Sequence, residues 1–219
     1  EEEEEEEEFE EEEEEEEEEV DSAEAEPEFK KPTDDNNQDL DAIAELHHFE
    51  NFGSPLARRR LHQDLKAFTR SNGRFGIRGQ PKGDNLFYWD AQLTDFDADS
   101  LLGKDLAKYA KKYQQKPEIQ LEMRFLSDYP MSPPFIRIIR PRFELLTGHI
   151  TVGGSICMEL LTKSGWNPVF DIESILIQVR SAIISDPNAR INLYNANEAY
   201  NEEEAKNAFA KMVKQYGWD

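Results

Sequence analysis

The sequence predicts an α+β domain in which helices pack on an antiparallel four-stranded meander. Three observations support this prediction. Apolar residues recur at helical spacing near residue 60 and again in two segments close to the C-terminus. Between them lie four short segments with the alternation or the composition of β-strands. A long segment with neither period, residues 143–169, separates the last strand from the last two helices.

The first helix is predicted from residue 54 onwards. Ser54 is a favourable N-cap, Pro55 suits the first helical position, and Gly73 ends the run. Its apolar face consists of Leu61, Leu65 and Phe68. Its basic residues are Arg58, Arg59, Arg60 and Lys66. Such charges form either a solvated face or a face on which a partner docks, and the sequence alone leaves both readings open.

The four strands follow in chain order. They are predicted at residues 75–78, 85–93, 117–126 and 135–140. A turn rich in glycine and proline joins the first two strands at residues 79–83. Residues 97–116 are polar and rich in lysine, which indicates a short surface helix inserted between strands. In the third strand the apolar side chains alternate with polar ones. The apolar residues of this strand are Ile119, Leu121, Met123 and Phe125.

Two amphipathic helices end the chain. Residues 171–185 form the first, and the second begins at Asn201, with Glu204 at capping-box distance. The apolar face of the first is Ile172, Ile175, Leu176, Val179 and Ile183. That of the second is Ala205, Phe209, Met212, Val213 and Tyr216. The segment before them, residues 143–169, is long for a loop in a compact domain, and such loops are usually functional.

The formal charge of −23 is concentrated near the N-terminus. Residues 1–28 contain 22 acidic residues and no basic one, and residues 1–50 carry a net charge of −26. Like charges at this density repel one another and bury no apolar surface, so we expect residues 1–50 to be a disordered acidic tail or linker. Such a tail is either a solvated linker or a segment that attracts a basic partner. Residues 51–219 carry a net charge of +3 and suffice for one domain with a sizeable core.

The composition disfavours several classes of protein. There is no apolar run long enough to span a membrane and no signal peptide, so we expect no membrane contact. The single cysteine, Cys157, permits no internal disulfide, which favours the cytoplasm or the nucleus. Nucleic-acid binding is disfavoured, because the folded part has no basic stripe and the acidic tail would repel phosphates. We expect no cofactor and no metal. Because the chain begins with Glu1 rather than Met, we expect a fragment or a processed product.

Six short motifs occur in order along residues 54–218. They are "ARRRLHQDL", "GDNLFYWDAQL", "YPMSPPFIRI", "GGSICMELL", "GWNPV" and "SDPNA". Together they resemble the ubiquitin-conjugating enzymes, the E2 class, whose members carry Y-P-x-x-P-P, G-x-I-C-x-x-x-L, W-S-P-A and D-P-N. The stretch "ICMELLTKSGW" resembles the Q-type branch, which places one extra residue between the cysteine and the tryptophan. The resemblance implies the ubiquitin-conjugating (UBC) fold and a catalytic domain over residues 51–219.

The resemblance also implies the role of Cys157. A lone cysteine without context is often a small buried hydrophobe, but in this motif it is implied to accept ubiquitin, or a ubiquitin-like protein, from an activating enzyme as a thioester. A thiolate is the attacking species, and a substrate lysine can still open a thioester, directly or through a ligase. The glycines before Cys157 are expected to let the C-terminal tail of the modifier approach the backbone. The alternative is a non-catalytic ubiquitin-binding scaffold on the same fold; family members of that kind lack the cysteine.

The chain departs from the family at two places near the nucleophile. Most members carry H-P-N, with the asparagine eight residues before the cysteine, where residues 147–149 of this chain read TGH. His149 could donate a hydrogen bond to the oxyanion that the asparagine is thought to stabilise, or it could be a loop-packing residue. The acidic residues that usually follow D-P-N are replaced by the sequence ARIN at residues 189–192. Direct transfer to lysine is the step that these departures affect.

Docking of a ligase or of the activating enzyme is also implied by the resemblance. In this family the first helix and two apolar loop tips form the docking surface. By position, the residues concerned are Arg59, Arg60, Met131, Pro168 and Val169. Met131 and Pro168 are equally consistent with ordinary turn residues. The implied partners are therefore a ubiquitin-like modifier, an activating enzyme, a ligase and a protein substrate.

Overall fold

The computed structural model describes residues 53–218, which contain four α-helices, four β-strands and one short 3₁₀ helix. The predicted disordered segment, residues 1–50, lies outside the described residues. The helices are α1 (Pro55–Ser71), α2 (Leu101–Tyr113), α3 (Ile172–Ser185) and α4 (Glu202–Tyr216). The strands are β1 (Ile77–Lys82), β2 (Asn85–Leu93), β3 (Ile119–Arg124) and β4 (Phe135–Arg140), and the 3₁₀ helix is Glu159–Leu161.

The strands form one antiparallel sheet in the order β1-β2-β3-β4, which confirms the predicted meander. Leu121 pairs with Ala91 on one side and with Ile138 on the other, and all three side chains are buried. α1 packs against α3 and β2, and α3 packs against β1. The core therefore lies between the sheet and its helices.

The prediction for the first strand and its turn is wrong. β1 extends over Ile77–Lys82, and the turn begins only after this strand rather than at residue 79. Proline is tolerated inside β1 because the strand lies at the edge of the sheet, where a ladder N–H is not needed on the open side. The ladder with β2 also shifts register between Pro81 and Lys82.

The helix between β2 and β3 is more than the predicted surface helix. The hydroxyl of Ser100 caps α2 by accepting the N–H of Gly103 at 2.9 Å. One face of the helix is buried in the core, while its lysines are exposed. The buried apolar residues are Leu102, Leu106 and Tyr109. The abundance of lysine in this segment hides the apolar face in the sequence.

The last helix begins where the sequence predicts. The side chain of Asn201 accepts the N–H of Glu204, and the Glu204 carboxylate accepts the N–H of Asn201. Of the apolar face predicted for α4, Ala205, Met212 and Val213 are buried and Phe209 is partly buried. The prediction for Tyr216 is wrong: it lies in the last turn, is 55% exposed and stacks on Trp218.

The apolar faces predicted for the other helices are confirmed. All five predicted apolar residues of α3 are buried, and Asp171 and Ser174 form a capping box at its start. In α1, Leu61 and Phe68 are buried and Leu65 is partly buried. Among residues 53–218, no helix is both long enough and apolar enough to cross a membrane.

Candidate active site

Cys157 ends a short hairpin, residues 149–157, inside the segment that has no period in the sequence. Its backbone N–H donates to the carbonyl oxygen of His149 at 2.8 Å, and Ile150 pairs with Ile156 through an isolated β-bridge. The backbone immediately before Cys157 is therefore fixed by hydrogen bonds. An irregular loop would leave the position of the thiol far less defined.

The hairpin is joined to the outer edge of the sheet, along β4. The N–H of Ile138 donates to the carbonyl of Gly154 at 2.7 Å, and the N–H of Ile156 donates to the carbonyl of Ile136 at 3.3 Å. Arg137 and Ser155 form an antiparallel bridge between these two bonds. β4 thus holds the segment before Cys157 much as it would hold a further strand.

Gly153 and Gly154 are packed against the protein's own chain. A Cβ atom at Gly153 would lie 2.1 Å from the carbonyl oxygen of Glu204, and one at Gly154 would lie 2.5 Å from the ring of Tyr200. Gly154 also has a φ of +89°, which residues other than glycine rarely adopt. Packing against Tyr200 and the start of α4 therefore accounts for both glycines, and the approach of a modifier tail to this backbone stays a prediction.

The Cys157 side chain is partly buried. Burial raises the pKa of its thiol above the ordinary value, because a less polar environment disfavours the thiolate. At neutral pH the thiolate fraction is therefore smaller than in a free cysteine. The sulfur must lose its proton in the course of any nucleophilic attack.

His149 contacts Cys157 through its backbone rather than through its ring. Its side chain is exposed, and its backbone is left-handed with a φ of +58°. Gly148 before it has a φ of +65°. The structure thus brings residues 149 and 157 together, and the action of the imidazole on an oxyanion stays a prediction.

Asp186, in the D-P-N turn, holds the loop that leads into the hairpin. Its carboxylate accepts the N–H of Gly148 at 2.7 Å and the N–H of Asn188 at 2.9 Å. The sequence does not predict this contact. The motif marks a turn, but no local pattern indicates that the turn reaches a residue 38 positions earlier.

Four of the five predicted docking residues line one surface groove of about 730 Å³. They are Arg60, Met131, Pro168 and Val169. Met131 is 59% exposed and Val169 is 78% exposed, so both loop tips present apolar surface. Arg59 is exposed on α1 and does not line the groove.

Arg60 is engaged by the protein itself. Its Nη1 donates to the carbonyl of Pro168 and its Nη2 to the carbonyl of Phe170, both at 2.7 Å. Its Nε donates to Asp64 at 2.8 Å, and the Tyr129 hydroxyl donates to the same carboxylate at 2.7 Å. Burial raises the pKa of Asp64, although these hydrogen bonds oppose the rise. Arg60 therefore connects α1 to the loop of Pro168, and Asp64 connects α1 to the loop of Tyr129 and Met131.

Comparison with known families covers the same region of the chain. Residues 60–217 match the family model of ubiquitin-conjugating enzymes. The chain belongs to the ubiquitin-conjugating enzyme family. Mouse ubiquitin-conjugating enzyme E2Q-like protein 1 is 32% identical over 161 residues, which cover 71% of this chain and 94% of that protein. Mouse ubiquitin-conjugating enzyme E2 Q1 is 31% identical over 173 residues, which cover 76% of this chain and 40% of that protein.

These relatives confirm the resemblance of this E2 to the Q-type branch. The chain spans nearly the whole length of the E2Q-like protein and less than half the length of E2 Q1. A solved structure of a ubiquitin-conjugating enzyme E2 from Plasmodium falciparum is also similar, with a TM-score of 0.46 and 17% sequence identity, over 63% of this chain and 90% of that chain. The α+β architecture of this E2 is the UBC fold.

Five of the six family motifs of this E2 form two groups in the structure. "GGSICMELL" and "SDPNA" lie on either side of the loop at residues 147–149, which is bonded to both Cys157 and Asp186. The first helix, the proline-rich turn and "GWNPV" line the groove. Within the described range, no group of three or more His, Cys, Asp or Glu residues is placed to hold a metal ion.

Proposed function

We propose that this E2 accepts ubiquitin, or a ubiquitin-like protein, from an activating enzyme as a thioester on Cys157 and passes it to a ligase or to a substrate lysine. Family membership supports a transferase role in general. The observation that carries the proposal is the placement of the chain's single cysteine, partly exposed, at the end of a hairpin that is anchored by its backbone beside His149.

The proposed reaction exchanges one thioester for another and then forms an amide. The Cys157 sulfur loses its proton and attacks the C-terminal carbonyl carbon of the modifier, and the thiol of the activating enzyme leaves and is protonated. An amine later attacks the same carbon, and the Cys157 sulfur leaves. Both steps pass through an oxyanion. Because the pKa of Cys157 is raised, its sulfur is a slower leaving group, which favours retention of the modifier until an acceptor is in place.

Transfer through a ligase is the route that the site favours. Residues 189–192 carry no carboxylate that could receive a proton from an attacking lysine, and Arg190 among them is paired with Asp105 of α2. The groove beside Met131 and Val169 offers exposed apolar tips. We propose that the ligase docks there.

Charging with a modifier tests the proposal against the scaffold alternative. The protein is incubated with activating enzyme, ATP and ubiquitin, then with ubiquitin-like proteins in turn, and run on non-reducing gels. One modifier is expected to be added through a bond that thiol reductant cleaves, and Cys157 is the only residue of this chain that can form it. Cys157→Ser should give at most an oxyester that resists reductant. Absence of charging with every modifier would favour the scaffold.

A further inference from the structure

Asp105 is a buried carboxylate on the helix between β2 and β3, and it faces the segment that follows the D-P-N turn. Asp105 is 1% exposed. Its carboxylate accepts hydrogen bonds from Nε of Arg190 at 2.5 Å and from Nη2 of Arg190 at 3.3 Å. A weaker bond comes from the N–H of Ile191 at 3.4 Å. A planar guanidinium that donates two hydrogen bonds to a buried carboxylate is held in one orientation. Its contacts therefore also restrict the backbone of the same arginine.

The backbone of Arg190 is in turn paired with the loop before the Cys157 hairpin. The N–H of Glu144 donates to the carbonyl of Arg190 at 2.9 Å, and the N–H of Arg190 donates to the hydroxyl of Thr147 at 3.3 Å. Phe143 and Ile191 form an antiparallel bridge beside these bonds. The position of Arg190 therefore helps to fix where residues 143–147 lie.

Thr147 is two residues before His149, whose carbonyl accepts the N–H of Cys157. His149 has a left-handed backbone, a conformation that a residue other than glycine keeps only where the surroundings hold it. Hydrogen bonds and the short backbone segments between them thus connect α2, through residues 190 and 147, to Cys157, the candidate nucleophile. None of these contacts is used by the proposed chemistry itself.

We infer that Asp105 is a positioning residue for the reaction at Cys157: through Arg190 and Thr147, α2 holds the loop that carries His149. This inference rests on the proposed function. Lys108 also lies 3.5 Å from Asp105, but from the exposed side of α2, and nothing joins it to residues 143–149. A residue with a merely structural role would affect stability alone, whereas a positioning residue affects discharge more than charging.

The test uses the 219-residue chain with Asp105→Asn, Arg190→Gln and the double variant, and Lys108→Ala as the matched control. Amide hydrogen exchange at Gly148 and Cys157, followed by NMR, reports the order of the loop without any activity. Single-turnover discharge of the charged protein to free lysine, compared with the rate of charging, reports the chemistry. Arg190 is 42% exposed in its side chain, so Arg190→Gln keeps the test open if Asp105→Asn fails to fold.

The expected result is exchange at Cys157 that is about tenfold faster, with discharge about tenfold slower and charging within about twofold of wild type. The two single variants and the double variant should have similar effects, because they break one interaction. Unchanged exchange, or equal effects of Lys108→Ala and Asp105→Asn, would overturn the inference, as would faster exchange with unchanged discharge. A wild-type protein that never charges would overturn the proposed function instead, and exchange would still decide whether Asp105 orders this loop.

Discussion

At the residue scale, His149 is the position where this E2 departs most clearly from its family. A donor placed at the developing oxyanion is worth about 3 kcal/mol where such sites have been measured. We expect His149→Ala to slow single-turnover discharge to free lysine by about tenfold or more. Charging should change little, because the activating enzyme supplies its own site for that step.

Two further substitutions separate the ring of His149 from its backbone. His149→Gly suits the positive φ without a ring, and His149→Asn keeps a donor in a residue that tolerates this conformation. Discharge should be as slow in His149→Gly as in His149→Ala, and largely restored in His149→Asn. Wild-type discharge rates in the Ala and Gly variants, with unchanged melting temperatures, would make His149 a loop residue only. The amides of Gly154 and Ser155 could not then replace it, because both donate to Thr151.

The thiol of Cys157 provides a test that depends on pH. Its pKa is raised by burial, so the thiolate that reacts with iodoacetamide forms only at higher pH than in a free cysteine. We expect the alkylation rate to rise with pH and to reach half its maximum above about pH 8.5, the ordinary cysteine pKa. Steric shielding would lower the rate at every pH without moving the profile. A plateau below that pH would show that the site stabilises the thiolate.

At the scale of elements, Arg60 joins α1 to the loop that carries Pro168 and Val169, and it supports Asp64, which binds Tyr129 beside the other loop tip. Arg60→Ala removes three hydrogen bonds and leaves the buried Asp64 with Tyr129 as its remaining partner. We expect the free energy of unfolding to fall by about 2 kcal/mol and the melting temperature by about 6 °C. Urea and thermal unfolding measure both quantities.

Arg59 is the matched control for this prediction, since it lies on the same helix and is exposed. Arg59→Ala should leave stability within about 0.5 kcal/mol of wild type. If ligase docking uses the charge of Arg59, that variant should weaken docking without a loss of stability. Equal stability losses in both variants would refute the assignment of Arg60 as the tie between α1 and the loop of Pro168.

The elements that could be predicted are those whose signal is local. The apolar spacing of α3 and the capping box of α4 were sufficient, because a helix is defined by residues three and four apart. β1 and α2 are less predictable, because the edge position of β1 and the buried face of α2 depend on neighbours far along the chain. The hairpin at residues 149–157 is too short to show an alternation of apolar and polar residues. It also pairs with β4, which is not adjacent to it in the sequence.

The same reasoning applies to the site. Cys157 can be proposed as the nucleophile from the sequence alone, because its motif is contiguous. The bond from Arg60 to Pro168 joins residues 108 positions apart, and that from Arg190 to Asp105 joins residues 85 positions apart. No local pattern marks either pair, so only the folded structure reveals them.

At the scale of the whole molecule, the described domain places its sheet, the hairpin of Cys157 and the groove on one continuous core. Residues 1–50 carry a net charge of −26, whereas residues 51–219 carry +3. The disorder expected of the acidic segment lies outside the described residues and stays a prediction.

The central claim is that Cys157 carries a modifier as a thioester, and intact-mass measurement tests it most directly. The 219-residue chain is incubated with activating enzyme, ATP and ubiquitin or a ubiquitin-like protein. Its intact mass is then measured before and after addition of thiol reductant. We predict a gain of the mass of one modifier that reductant removes and that Cys157→Ala does not show. An adduct that resists reductant, the same adduct on Cys157→Ala, or no gain of mass with any modifier would contradict the role of Cys157.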